Sequence, residues 1–202
     1  MDTPGLLRSA NLAERDGELY YHPGFLEAGE ADRALLALQG EMAWEQEVVT
    51  IVGRRVAVPR LVAWHGDPDA VYRYSGLVHL PKPWTPILLA LRERVEKASG
   101  QRFNSVLGNW YRSGEDSMGW HADQEKSLGK NPWIASVSLG AERLFKLRHN
   151  SGDPALDLCL GHGSLLLMGG RLQHRWRHCV PKSRTVTGAR INLTFRLIHP
   201  SE

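Results

Sequence analysis

Apolar and polar residues alternate with period two from Arg190 to Arg196. Ile191, Leu193 and Phe195 fall on one face of an extended strand, and Arg190, Asn192, Thr194 and Arg196 on the other. The apolar row predicts packing against a core. Other short runs rich in strand formers precede it, bounded by Gly, Asn, Asp or Pro. They lie at Ser105 to Arg112, Ile134 to Leu139, Arg143 to Arg148, Leu156 to Leu160, Ser164 to Met168 and Arg175 to Val180, and the last run continues to Ile198. Short strands separated by turn signals predict a sandwich or jelly roll. Helical spacing occurs earlier. Leu26, Leu35, Leu36 and Leu38 predict a packing helix from Leu26 to Gln39, stopped by Gly40. Ile87, Leu88, Leu91 and Val95 predict a second, opened by Thr85-Pro86 and closed by Gly100. Between them, Val48 to Val52 and Arg55 to Val58 flank Gly53-Arg54, the pattern of a hairpin with cations at its turn. The first eighteen residues show no periodicity and predict a loose lead-in, with a single domain over 19–202. Within it, 19–100 reads as a helical and hairpin flank and 101–202 as the β core.

A chain of 202 residues is long enough to be stable without disulfides. Cys159 and Cys179 have no paired spacing. That favours a reducing compartment, cytoplasmic or in a eukaryotic cell nuclear, argues against a thiolate zinc site, and makes both read as small apolar residues. The absence of a long apolar run predicts a soluble protein with no membrane partner. The formal charge of +3 tilts the choice of partner toward anions, since nucleic-acid binders draw affinity from phosphate neutralisation.

Candidate chemistry lies on the polar faces. Arg190 and Arg196 are roughly 20 Å apart along an ideal strand. Two planar guanidinium forks leaning toward each other, with an amide and a hydroxyl between, suit a small dicarboxylate. His121-Ala122-Asp123 puts an imidazole and a carboxylate two residues apart in an extended segment, aimed at one point. A second histidine would complete the two-His, one-carboxylate face of non-haem Fe(II) oxygenases. His149, His162, His174 and His178 are all available for it.

The order Asn109-Trp110-Tyr111, His121-x-Asp123, a late His and Arg190-x-Asn192-x-Thr194-x-Arg196 resembles the AlkB family of Fe(II)- and 2-oxoglutarate-dependent nucleic-acid dealkylases. Val58-Pro59-Arg60, Tyr72-Arg73-Tyr74-Ser75-Gly76 and Pro81-Lys82-Pro83-Trp84 extend the resemblance over nearly the whole chain. It implies a mainly β protein with flanking helices, built on a double-stranded β-helix (jelly-roll) core with an N-terminal helix and a β-hairpin lid over the substrate. It implies Fe(II) at His121, Asp123 and His178, because His178-Cys179-Val180-Pro181 looks like the family's second histidine segment; His174 is the alternative. 2-Oxoglutarate and dioxygen would fill the remaining positions. Arg196 and Asn109 would face the iron-proximal carboxylate and Arg190, Asn192 and Tyr111 the distal one, with Thr194 in the same row.

The resemblance also places the substrate. Tyr74 and His121 would hold an extruded base between them, with Tyr72 on the same strand face and Glu125 helping to read the base. Gln124 departs from the acidic residue common at its place, which leaves base preference open. At the hairpin tip, with Gly53 and Arg54 beside it as further substrate contacts, Val52 stands where relatives active on duplexes carry an aromatic wedge. A valine there points to single-stranded DNA, with duplex DNA and RNA as further substrates. Arg54, Arg55, Arg60, Arg73, Lys126, Lys130, Arg175 and Lys182 are available for phosphate contacts. The function implied is oxidative demethylation of bases such as 1-methyladenine and 3-methylcytosine by a monomer, releasing succinate, carbon dioxide and formaldehyde. Two other readings compete: a hydroxylase or demethylase of a protein or small molecule, and a metal-free nucleic-acid binding module. The Tyr72/Tyr74 segment and the basic hairpin argue against the first. The three ligands standing together with both arginines argue against the second.

Overall fold

The strand Arg190–Arg196 lies inside a six-stranded antiparallel sheet, hydrogen-bonded on both sides. The computed structural model describes residues 9–199 except 52, 75 and 76, with backbone alone at 51, 72–74 and 77–79. The elements run β1 (Glu18–His22), α1 (Ala28–Glu41), β2 (Val48–Ile51), β3 (Arg54–Ala57), β4 (Leu61–Gly66), β5 (Tyr72–Tyr74), β6 (Leu77–His79), α2 (Pro86–Ser99), β7 (Ser105–Tyr111) and β8 (Met118–His121). They continue with β9 (Ile134–Gly140), β10 (Arg143–His149), β11 (Ala155–Leu160), β12 (Ser164–Gly169), α3 (Leu172–Arg175), β13 (Trp176–Val180) and β14 (Arg190–Arg196). The large sheet has the order β1-β12-β9-β14-β7-β4 and the small one β11-β10-β13-β8, while β2-β3 and β5-β6 form separate two-stranded ribbons.

Strand parity decides what each face of the large sheet meets. Ala135, Val137 and Leu139 of β9, Leu165 and Leu167 of β12, and Ile191, Leu193 and Phe195 of β14 pack beneath Ala31, Ala34 and Leu38 of α1 and Leu88, Leu91 and Val95 of α2. Fully burying a side chain such as Phe195 contributes about 1.5–3 kcal/mol. The opposite parity, Leu19, Ile134, Leu166 and Met168, packs against Phe145, Leu147, Trp176 and Val180 of the small sheet. The polar residues of β14 share that inner side. The two sheets are thus joined by apolar residues in one region and enclose polar ones in another.

The helix over Pro86–Ser99 follows its sequence signals. The Thr85 hydroxyl accepts from Leu88 N at 3.4 Å, Pro86 occupies the first turn, and Gly100 closes the helix at φ 70, where a side chain would be strained. Thr85→Ala is expected to lower stability by roughly 1 kcal/mol with an unchanged denaturant slope. Urea unfolding of the two proteins measures it, and equal midpoints would show the cap to be idle.

Several expectations are corrected. Gly40 does not stop α1, which runs to Glu41 and ends where Met42 turns extended. The lead-in is not loose over 9–17. The Asn11 side chain accepts from Ala13 N and Leu19 N and donates to Gly17 O, substituting for a regular ladder, and Trp176 Nε1 donates to Arg15 O. Arg54 opens β3 rather than completing the turn, in which Gly53 has φ 74. Cys179 is buried as expected of an apolar residue, but Cys159 is exposed on β11. Strands β1, β4, β6 and β8 were not anticipated as separate elements. β1 and β4 form the two edges of the large sheet, so the flank contributes strands to it. No helix among the described residues is long and apolar enough to cross a membrane.

Candidate active site

β8 and β13 pair antiparallel with His121 directly opposite His178, and a register irregularity follows between His178 and Val180. Cross-strand partners project to the same face, so the two imidazoles meet, with ring centroids 4.3 Å apart. β8 ends at His121, and the chain turns so that Asp123 comes back to the same point, its Oδ1 3.8 Å from His121 Nε2. Gln173 holds that turn. Its Oε1 accepts from Asp123 N at 2.9 Å and its carbonyl from Gln124 Nε2 at 2.7 Å. One ligand atom from each of His121, Asp123 and His178 lies within 4.8 Å of the others.

The other histidines are engaged elsewhere. His174 Nε2 accepts from Asn131 N, His149 faces Asp16 and His162 faces Asp32. His178 is therefore the histidine that joins the pair.

This donor set fits Fe(II). His121 Nδ1 lies 2.9 Å from Gly119 O and donates to it in the tautomer that leaves Nε2 free to bind metal. His178 is stacked on Phe145 at 5.1 Å, and its Nδ1 is buried with no hydrogen-bond partner among the described residues. Burial first, then the His121 and Arg196 charges, push the His178 imidazole down to about 3 against the pull of Asp123. It is thus neutral, the form that ligates. Burial alone would raise the Asp123 carboxyl, but Arg196, His178 and His121 outweigh it and hold the group below the usual carboxylate range. A buried carboxylate facing two imidazoles is a place where a divalent cation replaces lost solvation.

The arginine row is fully enclosed. Arg190 is 2% exposed and Arg196 4%, which excludes a solvated strand face. Their surroundings differ. Arg196 Nη2 donates to Asp123 Oδ2 at 2.8 Å. Arg190 lies opposite Tyr111 on β7, its Cζ 5.2 Å from that ring, and Nη2 donates to Ser138 Oγ at 2.9 Å. Its Nε and Nη1 are buried without a hydrogen-bond partner among the described residues, and burial lowers its pKa. A guanidinium taken out of water with donors to spare suits a carboxylate. Between the arginines, Asn192 stands opposite Asn109 and donates to Ser136 Oγ, and Thr194 Oγ1 donates to Asn192 Oδ1.

A cavity of about 620 Å³ opens on this centre. His121, Asp123 and Arg196 form part of its wall, with Arg60, Lys82, Glu45, Glu47, Glu125, Trp64 and Met118 around them. Arg60 had been expected among the phosphate contacts, but it is 8% exposed and its Nε donates to Asn109 Oδ1 at 2.7 Å. It lies inside, tied to the row. Arg54, Arg55, Lys126, Lys130, Arg175 and Lys182 are exposed as expected. Val52 lies outside the described residues, as do the side chains of Tyr72, Arg73 and Tyr74.

The profile of the 2OG-Fe(II) oxygenase superfamily matches residues 18–196. "DNA oxidative demethylase ALKBH2" of Mus musculus is 39% identical over 184 residues, 86% of this chain and 77% of that protein. The chain belongs to the AlkB family of 2OG-Fe(II) oxygenases. "Alpha-ketoglutarate-dependent dioxygenase alkB homolog 3" of Homo sapiens is 40% identical over 189 residues, covering 89% of this chain and 65% of that one. This chain therefore spans about 65% of the length of its alkB homolog 3 relatives. The fold agrees with solved structures. "The structure of OsALKBH1" gives a TM-score of 0.62 at 20% identity over 88% of this chain and 97% of that one. A 2OG-Fe(II) oxygenase family oxidoreductase from Burkholderia pseudomallei gives 0.60 at 17% identity over 91% of this chain and 86% of that one.

This AlkB-family centre also draws on residues that the motifs did not reveal. Gln173 precedes His174 in a stretch without a pattern, and only the turn of Asp123 shows its use. Phe145 is an alternate residue of a strand, and parity alone would have turned it inward. Arg143 is 2% exposed, donates to the carbonyls of Ser113, Asp116 and Pro181, and lies over Tyr111 at 5.4 Å. Tyr111 thus has a guanidinium from each of two strands against its ring.

Proposed function

We propose that this AlkB-family oxygenase removes methyl groups from ring nitrogens of nucleic-acid bases. Its first substrates are 1-methyladenine and 3-methylcytosine in single-stranded DNA, with duplex DNA and RNA as further substrates. It acts as a monomer, in the cytoplasm or, in a eukaryotic cell, the nucleus. The observation that carries the reading is the cavity of about 620 Å³ opening on His121 and Asp123, a volume common for small-ligand sites. Supporting it, relatives that share most of the chain are named DNA oxidative demethylases.

In this reading His121, Asp123 and His178 hold Fe(II). Asn109, Tyr111, Arg190, Asn192, Thr194 and Arg196 hold and orient 2-oxoglutarate. Bound Fe(II), 2-oxoglutarate and dioxygen supply the oxidation, turning the methyl C–H into C–OH as 2-oxoglutarate becomes succinate and carbon dioxide, after which the N-hydroxymethyl group leaves as formaldehyde. Arg190 neutralises the far carboxylate of the dicarboxylate. Arg196 keeps Asp123 ionised and turned toward the histidines. The hydrophobic wall around His178, with Phe145 stacked on it, keeps water from that side. The base, taken out of its strand, lies between Tyr74 and His121 with Tyr72 beside it, and Glu125 meets its edge. Val52, Gly53 and Arg54 touch the strand that carries it, and Arg60 lines the base pocket.

Demethylation of a panel of methylated oligonucleotides, single- and double-stranded DNA and RNA, tests the proposal. Turnover of 2-oxoglutarate that no methylated oligonucleotide stimulates would reject it. Tyr74 has its own test. Stacking on a base contributes about 1–3 kcal/mol, so Tyr74→Ala should slow demethylation roughly ten- to a hundredfold while uncoupled succinate formation continues. Tyr74→Phe should be mild. Loss of both products together, or of neither, would reduce Tyr74 to a packing residue.

A further inference from the structure

The face of the small sheet turned away from the ligands carries a tract that the centre does not use. His121 and His178 point inward, so their strand neighbours point outward. These are Trp120 on β8, 46% exposed, and Arg177 on β13, also exposed. Arg148 on β10 stands directly opposite Arg177 in the ladder and reaches past it, its Cζ 5.5 Å from the Trp120 ring centroid. Like charges set opposite each other weaken a sheet. Neither guanidinium meets a carboxylate among the described residues, whereas neighbouring Lys146 is held by Asp157 at 3.1 Å. The row therefore pairs a half-exposed indole with two cations that no carboxylate among the described residues neutralises. A chain of phosphates with flat bases supplies what both lack.

The row also adjoins the cavity, since Trp120 precedes the cavity-lining His121 on β8. β8 is the edge of the small sheet, and Met118, His121 and Ala122 line the cavity beside it. A strand whose target base sits in the cavity has only to cross this edge to meet Trp120. We infer that Trp120, Arg148 and Arg177 form a platform for the single strand flanking the target nucleotide, Trp120 stacking on a flanking base and the arginines contacting phosphates. The inference rests on the proposed demethylase function and adds a second contact to it. It makes turnover depend on nucleotides next to the lesion as well as on the lesion itself.

Two substrates and two variants test it. One substrate is a methylated nucleoside 5′-monophosphate and the other a single-stranded oligonucleotide of about fifteen nucleotides with the same base at its centre. Trp120→Ala should raise the KM for the oligonucleotide about tenfold and leave the mononucleotide and uncoupled 2-oxoglutarate turnover unchanged. Trp120→Phe should restore most of the loss. Because Trp120 adjoins a ligand, the Arg148→Glu, Arg177→Glu double variant serves as a second probe; it should weaken the oligonucleotide alone and flatten its salt dependence. The platform is overturned if both variants treat the oligonucleotide as the wild type does, or if both lose the two substrates in parallel. Fluorescence anisotropy with the unmethylated oligonucleotide separates this from the proposed function. Should no methylated substrate turn over, binding that Trp120→Ala and the double variant weaken would keep the platform and reject the demethylase. Binding that neither changes would reject the platform.

Discussion

His178→Ala is expected to form no succinate, while His174→Ala turns over 2-oxoglutarate at the wild-type rate. His121 and His178 are direct partners across the β8–β13 ladder, and the three ligand atoms lie within 4.8 Å of one another. Removing one leaves two protein ligands and an opening where the metal's third contact should be. Deleting a neutral imidazole strands no charge, and the β13 backbone keeps its ladder, so the fold should survive with only a packing loss beside Phe145. His174 hydrogen-bonds the backbone at Asn131 and takes no part. Succinate assays joined to the visible charge-transfer band of anaerobic Fe(II) with 2-oxoglutarate decide the matter. A band kept in His178→Ala and lost in His174→Ala would reverse the assignment.

The second large effect is one of stability as well as activity. Arg196 and Asp123 form an ion pair at 2.8 Å with both side chains 5% exposed. Breaking a buried pair from one side costs about 3–5 kcal/mol because the other charge is left uncompensated. Arg196→Met should therefore unfold at markedly lower urea at neutral pH. The sign with pH follows from Asp123, whose carboxyl is held below its ordinary range in the folded protein. A depressed carboxylate contributes stability above its unfolded pKa and loses it as pH falls through the folded one. Wild type should thus lose its advantage over Arg196→Met as the solution is acidified below the ordinary carboxylate range. A divalent cation, by restoring positive charge beside Asp123, should recover part of the loss in the variant. Arg196→Lys keeps the charge without the fork and should fall between, with a higher 2-oxoglutarate requirement. Equal urea midpoints for wild type and Arg196→Met at neutral pH would show that the pair contributes nothing.

What could be read without coordinates follows from which forces are local. The helix at Pro86–Ser99 declares itself because its cap, its proline and its terminal glycine are neighbours in the chain. The alternation of β14 is local too, and its apolar side lies under the helices as expected. That its polar side is also enclosed is not local, because the cover comes from β8, β10 and β13. β8 reads Met-Gly-Trp-His and has little intrinsic preference for a strand; pairing with β13 makes it one. The order of residues 9–17 rests on the Asn11 side chain and on contacts with distant elements, such as Trp176 Nε1 to Arg15 O and Asp16 to His149, and nothing in composition distinguishes that from a loose segment. Arg60 shows the same limit at the site. Its motif was visible, but whether the guanidinium faces water or Asn109 depends on β7 lying alongside.

The facing of His121 and His178 across the ladder has a consequence for when the centre comes into being. Synthesis delivers His121 and Asp123 on β8 and the turn after it, and His178 only with β13, after β9 to β12 have been made. Until then the nascent chain can offer a metal two of the three proposed ligands. Arg196, which steadies Asp123, arrives later still, on the last strand. In the proposed reading the full set of three ligands is therefore complete only once β13 has paired with β8, and Asp123 gains its Arg196 partner after that.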